Sequence, residues 1–128
     1  MNFNTILKIG ESLINEYIVN PEDTADFIGN IGVITLSTPS MVRYIEATAT
    51  HLVIPNIPKN YRPVGTKINI EHINPTPVNM KVTVNATLIA IEGRKLRYNV
   101  EVFNEKCKIG FGTYEQHVIN LGDFLNKY

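Results

Sequence analysis

Apolar and polar residues alternate along several stretches of the chain, and in one stretch apolar residues recur at helical spacing instead. The segment "ESLINEYIV" (11–19) carries the first alternation and predicts a strand, closed by Pro21 and the acids of "NPEDTAD". "FIGNIGVITLS" comes next, interrupted by glycine and only loosely strand-like. In "STPSMVRYIEATATHLVI" the period changes: Met41, Val42, Ile45, Ala49, Leu52 and Val53 mark one helix face. Ser37 or Thr38 serves as its cap, Pro39 suits the first helical position, and Pro55 ends it. After the connection "PNIPKNYRP" come four runs of strand character, roughly 64–73, 80–91, 96–103 and 109–119. The short joints "EGRK" and "NEKCK" predict that the last three form an antiparallel meander.

Alternation also predicts the buried face. Val82, Val84, Ala86, Leu88 and Ala90 share one side of their strand, and Leu96, Tyr98, Val100 and Val102 share one side of the next. One helix must cover them, so the expected fold is α+β: a long central helix wrapped by a curved antiparallel sheet, in one domain spanning 1–128. Such a sheet leaves edges open, and a homodimer is expected.

Composition narrows the classes. Twelve basic residues balance twelve acidic ones, which gives no field for nucleic acid or an anionic membrane. Cys107 is the only cysteine, "MNFNTILKIGES" lacks the features of a secretion signal, and no apolar run approaches a membrane span. A cytoplasmic location is the simplest expectation. There is no zinc-like Cys/His spacing, no phosphate loop and no "GxSxG" elbow, so neither metal nor cofactor is expected.

The strings "LSTPSMVRYIEATA", "VGTKINIEHINPTPVNMKVTVNATL", "EGRKLRYNVEVFNE" and "KIGFGTYEQHVI" together resemble the hotdog-fold thioesterases, most closely the fluoroacetyl-CoA thioesterase-like branch. The resemblance covers about residues 30 to 120 and rests on the order and spacing of Thr38, Glu46, Gly65 and His72, with Thr76–Pro77 and Gly112–Thr113. It implies a hotdog dimer, or a higher oligomer, that hydrolyses an acyl-CoA thioester. Thr38, Glu46 and His72 stand at the catalytic positions, and Gly65, Thr66, Gly112 and Thr113 at substrate-binding ones. After the "GT" the family often has basic residues, whereas this chain has Tyr114, Glu115 and Gln116. Lys59, Arg62 and Lys67 are alternative partners for the CoA phosphates.

The chemistry of these residue types agrees with that implication. Thioester hydrolysis needs an activated oxygen, a base that titrates near neutrality and donors for an oxyanion. His72 is the natural base. Thr38 is either the nucleophile or a group that positions water, and Glu46 orients His72, activates water or attacks. Gly65 lets a carbonyl approach backbone N–H groups. Geometry sets two conditions. Thr38 and Glu46, eight residues apart, lie roughly 12 Å apart along one helix. They meet only through His72, water or substrate, or by convergence of two subunits. Gly65 and His72 differ by seven and fall on opposite strand faces unless a bulge intervenes.

Each residue also has a plain structural reading. Thr38 is a good helix cap, Glu46 a solvated side chain, His72 a surface histidine at a strand end, and Gly65 a relief of crowding. His51 suits a helix C-terminus and His117 alternates in a strand, so neither is given a role. Hotdog hydratases carry an aspartate followed five residues later by a histidine, a pair missing here. A non-catalytic acyl-CoA-binding or regulatory module is the competing reading.

Overall fold

In the computed structural model, which describes residues 2–127, the helical periodicity after Ser37 becomes α1 (Thr38–Val53). Its buried side chains, Met41, Tyr44, Ile45, Thr48, Ala49, Leu52 and Val53, recur at three- and four-residue steps and face the sheet. The cap is Ser37, whose hydroxyl accepts from the Ser40 N–H at 3.2 Å. Thr38 is therefore the first helical residue rather than the cap, and Pro39 occupies the second position, where its missing N–H costs no helical bond.

Among the described residues, five strands form one antiparallel sheet: β1 (Ser12–Ile18), β2 (Tyr61–His72), β3 (Lys81–Glu92), β4 (Lys95–Phe103) and β5 (Lys108–Asn120). Their spatial order is β1-β3-β4-β5-β2, so the expected meander occupies the middle and β1 and β2 form the two edges. A short helix, α2 (Leu121–Leu125), comes after β5. The stretch read as loosely strand-like makes only isolated bridges, Thr24 to Leu36 and Thr35 to Pro77, around a single 3-10 turn.

The core lies between α1 and the inner faces of β3 and β4, where Val82, Val84, Ala86, Leu88, Leu96, Tyr98, Val100 and Val102 are all buried. Ala90 departs from the expected face. The register slips between Leu88 and Ala90, so Ala90 pairs with Arg97 and Ile91 takes the inward place opposite Leu96. One extra residue in a strand reverses the alternation beyond it.

A second slip shapes the site. Between Gly65 and Lys67 the β2–β5 register gains a residue at Thr66. Gly65, Ile68, Ile70 and His72 then pair with Gln116, Tyr114, Gly112 and Gly110, all on one face. The bulge thus meets the condition set by the spacing, and Gly65 and His72 both look toward the helix.

Candidate active site

The segment leading into α1 is pinned before any chemistry begins. Asp23, buried in the loop after β1, accepts from the Tyr44 hydroxyl at 2.8 Å and the Asn20 N–H at 3.1 Å, and pairs with Arg43. Its carbonyl receives the Ser37 N–H at 2.8 Å. From the other side, the Leu36 N–H donates to the carbonyl of buried Thr76 at 2.8 Å, while the Thr76 hydroxyl accepts from Asn104 at 3.2 Å. The "TP" pair therefore fixes the approach to the helix. Residues on both sides of Thr38 are held, and Thr38 itself stays exposed.

With the helix start and the end of β2 so placed, Thr38 Oγ1 lies 2.8 Å from His72 Nδ1. His72 is half-buried, and that burial lowers its imidazole pKa from the usual value, with a backbone hydrogen bond at Asn74 acting weakly in the opposite direction. The neutral ring is favoured, with a nitrogen free to accept the threonine proton. A cavity of about 230 Å³ opens beside the pair, lined by Thr35, Leu36, His72, Ile73, Asn74 and Pro75.

Glu46 does not join the pair within one chain. It lies two helical turns beyond Thr38, exposed, next to the Tyr114 hydroxyl and not His72. Tyr114 is opposite Ile68, whereas His72 is opposite Gly110, four residues away along β5, or about 13 Å at strand rise. One protomer thus keeps the candidate residues in two separate groups: Thr38 with His72, and Glu46 and Gly65 on either side of the Tyr114 hydroxyl.

The glycines have specific reasons. A Cβ at Gly65 would overlap the Tyr114 hydroxyl, and one at Gly112 would overlap the Asn69 carbonyl, where φ is also +153°. Thr66 occupies the bulge, its hydroxyl 3.4 Å from the Glu115 carbonyl. Thr113, paired with Asn69, points to the outer face, away from Thr38 and His72, and borders a separate depression with Glu71 and Phe111. Lys59 and Arg62 border another depression near the end of α1, and Lys67 is exposed on β2. His51 contacts Asn15 at 3.1 Å through its ring.

Sequence reasoning missed the polar network beneath the Glu46 group: buried Tyr98, Tyr114 and Gln116, with half-buried Thr50. The available signal was polar residues at inward positions of otherwise apolar stripes. Among the described residues, no group of three or more His, Cys, Asp or Glu side chains is placed to hold a metal ion, and no helix is long and apolar enough to cross a membrane.

A single long helix laid across a curved antiparallel sheet, with polar groups at the helix start facing an edge strand, defines a hotdog-fold protein. A solved hot-dog-like protein from Thermanaerovibrio acidaminovorans superposes with a TM-score of 0.89 at 20% identity, covering 99% of this chain and 93% of the other. The family model FlK, fluoroacetyl-CoA-specific thioesterase, matches residues 19–121, and the chain belongs to that family. It is 29% identical to the fluoroacetyl-CoA thioesterase of Streptantibioticus cattleyicolor over 94% of this chain and 91% of the relative. A solved structure of fluoroacetyl-CoA thioesterase FlK superposes with a TM-score of 0.89 at 28% identity, covering 94% of each chain.

Proposed function

We propose that this chain hydrolyses an acyl-CoA thioester to free acid and CoA, and that its active site is completed by a second copy. The observation that carries the reading is the 2.8 Å contact of Thr38 Oγ1 with His72 Nδ1, in a family of thioesterases. His72 in its neutral form takes a proton from Thr38, or from a water held by Thr38, as the oxygen attacks the thioester carbonyl. Backbone N–H groups around Gly65 receive the oxyanion, and the proton on His72 then passes to the leaving thiolate.

Glu46 enters through the dimer. β2 is an edge strand, and Gly65–Asn69 is exposed along it, including Ile68 on the helix side. Phe27, Ile31 and Ile34 in the loop before α1 are also exposed, at 66%, 82% and 64%. A second copy covers these surfaces by pairing its β2 antiparallel to this one. With the two-fold axis at Asn69 and Thr66 bulged out of the register, Gly65 and His72 are each three rungs from the axis, so the partner subunit's His72 lies opposite Gly65. Glu46 of one protomer then faces the Thr38–His72 pair of its partner, where it orients the attacking water or holds the imidazolium.

The test is a panel of acyl-CoAs from acetyl and fluoroacetyl to long-chain and aromatic, with thiol release as the signal. Turnover of any member supports the enzyme. Saturable binding without thiol release from any of them favours the non-catalytic module. Sedimentation at micromolar concentration tests the assembly, and a monomer contradicts the shared site.

A further inference from the structure

Three polar side chains are almost fully buried on the inner faces of β4 and β5, namely Tyr98, Tyr114 and Gln116, and their hydrogen bonds run in one direction. The Tyr98 hydroxyl lies 2.7 Å from Gln116 Oε1 and donates to it, because a carbonyl oxygen only accepts. The amide is thereby oriented. Its Nε2 donates to Thr50 Oγ1 at 2.9 Å and to the Tyr114 hydroxyl at 3.5 Å. The Tyr114 oxygen accepts on that side, which leaves its single proton for another partner. Glu46, four residues before Thr50 on the same helix face, has its carboxylate beside the Tyr114 hydroxyl.

Two further observations point the same way. The place a side chain would take at Gly65 is filled by the Tyr114 hydroxyl, so the glycine keeps room for it. Burial, and then the charge of Glu46, pushes the Tyr114 pKa up to about 12, so the hydroxyl is a donor throughout the working pH range.

We propose that Tyr114 is a positioning residue for Glu46: its hydroxyl, oriented from behind by Gln116 and Tyr98, donates to the carboxylate and holds it toward the incoming thioester. The inference rests on the reading of Glu46 as part of the active site. An exposed glutamate, with its several rotatable side-chain bonds, otherwise samples many rotamers, and one charge-assisted bond from a buried donor selects among them.

A double-mutant cycle with acyl-CoA hydrolysis as readout tests it, using Tyr114→Phe, Glu46→Gln and the double variant under single-turnover conditions with enzyme in excess. Tyr114→Phe removes one oxygen and keeps the ring, and thermal unfolding checks that it folds. It should lower the rate by about 10-fold, the scale of one hydrogen bond to a charged group. In the Glu46→Gln background the same substitution should cost less than about twofold, since the charge it served is gone. Equal losses in both backgrounds, or no loss from Tyr114→Phe alone, overturn the proposal and leave Glu46 in the site. No loss from Glu46→Gln itself overturns the active-site reading and the proposal with it.

Discussion

Ser37→Ala and Thr38→Val separate two hydroxyls that are neighbours in the chain but have different partners. Ser37 Oγ accepts from the Ser40 N–H at 3.2 Å, whereas Thr38 Oγ1 contacts His72 at 2.8 Å. Losing an N-cap costs roughly 0.5–2 kcal/mol. For 128 residues, an unfolding entropy of about 2.1 cal/mol/K per residue sums to about 0.27 kcal/mol/K, so Ser37→Ala should lower Tm by roughly 2–7 °C. Thr38→Val keeps the β-branch, exposes nothing new and gives up no cap, so its stability change should stay within about 0.5 kcal/mol, or about 2 °C. Activity should divide the other way. Thr38→Val should lose about 10²-fold or more in kcat, the scale of a lost acid–base partner, while Ser37→Ala should stay within about twofold of the parent well below its Tm. The assays are thermal unfolding at one fixed protein concentration and thiol release from a reactive acyl-CoA. The reasoning fails if Thr38→Val carries the stability loss, or if it retains the parental rate.

Burial lowers the His72 pKa while the facing carboxylate of Glu46 of the partner subunit would raise it, so in the Glu46→Gln variant, where burial acts without that charge, the residual kcat/KM should fall on acidification through a midpoint below the usual value of about 6.5 and be flat above it. A midpoint at or above 6.5 would contradict the assignment of the base. Asp23→Ala strands the Tyr44 hydroxyl and the Asn20 N–H, and should destabilise by about 2–3 kcal/mol in urea titrations. Arg43→Ala, which removes a mostly exposed partner of the same carboxylate, should cost about 0.5 kcal/mol or less. Similar costs for the two would show that the ion pair, not the buried hydrogen bonds, holds the loop.

The features legible in the chain are those that depend on period. The span from Ser37 to Ile54 closely anticipates α1, and the inward faces of β3 up to Leu88 and of β4 emerge from alternation, because burial on one side leaves a regular trace. Bulges leave no such trace. Thr66 and Ile89 look like ordinary strand residues, yet each reverses the facing of every later residue in its strand, which moved Ala90 outward and aligned Gly65 with His72. The cap was ambiguous because two adjacent hydroxyls compete for one geometry. Tyr114 and Gln116 registered only as departures from the basic residues common in the family. Their meaning depends on Thr50, 66 positions from Gln116, and on Tyr98, contacts that close only in the folded chain.

Complementation between two inactive variants tests the central claim most directly. His72→Ala and Glu46→Gln are purified separately, mixed in equal amounts, unfolded and refolded together, and assayed for acyl-CoA hydrolysis. With a site shared across the dimer, half of the assemblies are mixed and each mixed dimer holds one intact site, so the rate should return to about one quarter of wild type. If every site lies within one chain, each still carries a substitution, and a mixture no more active than its separate components would contradict the account.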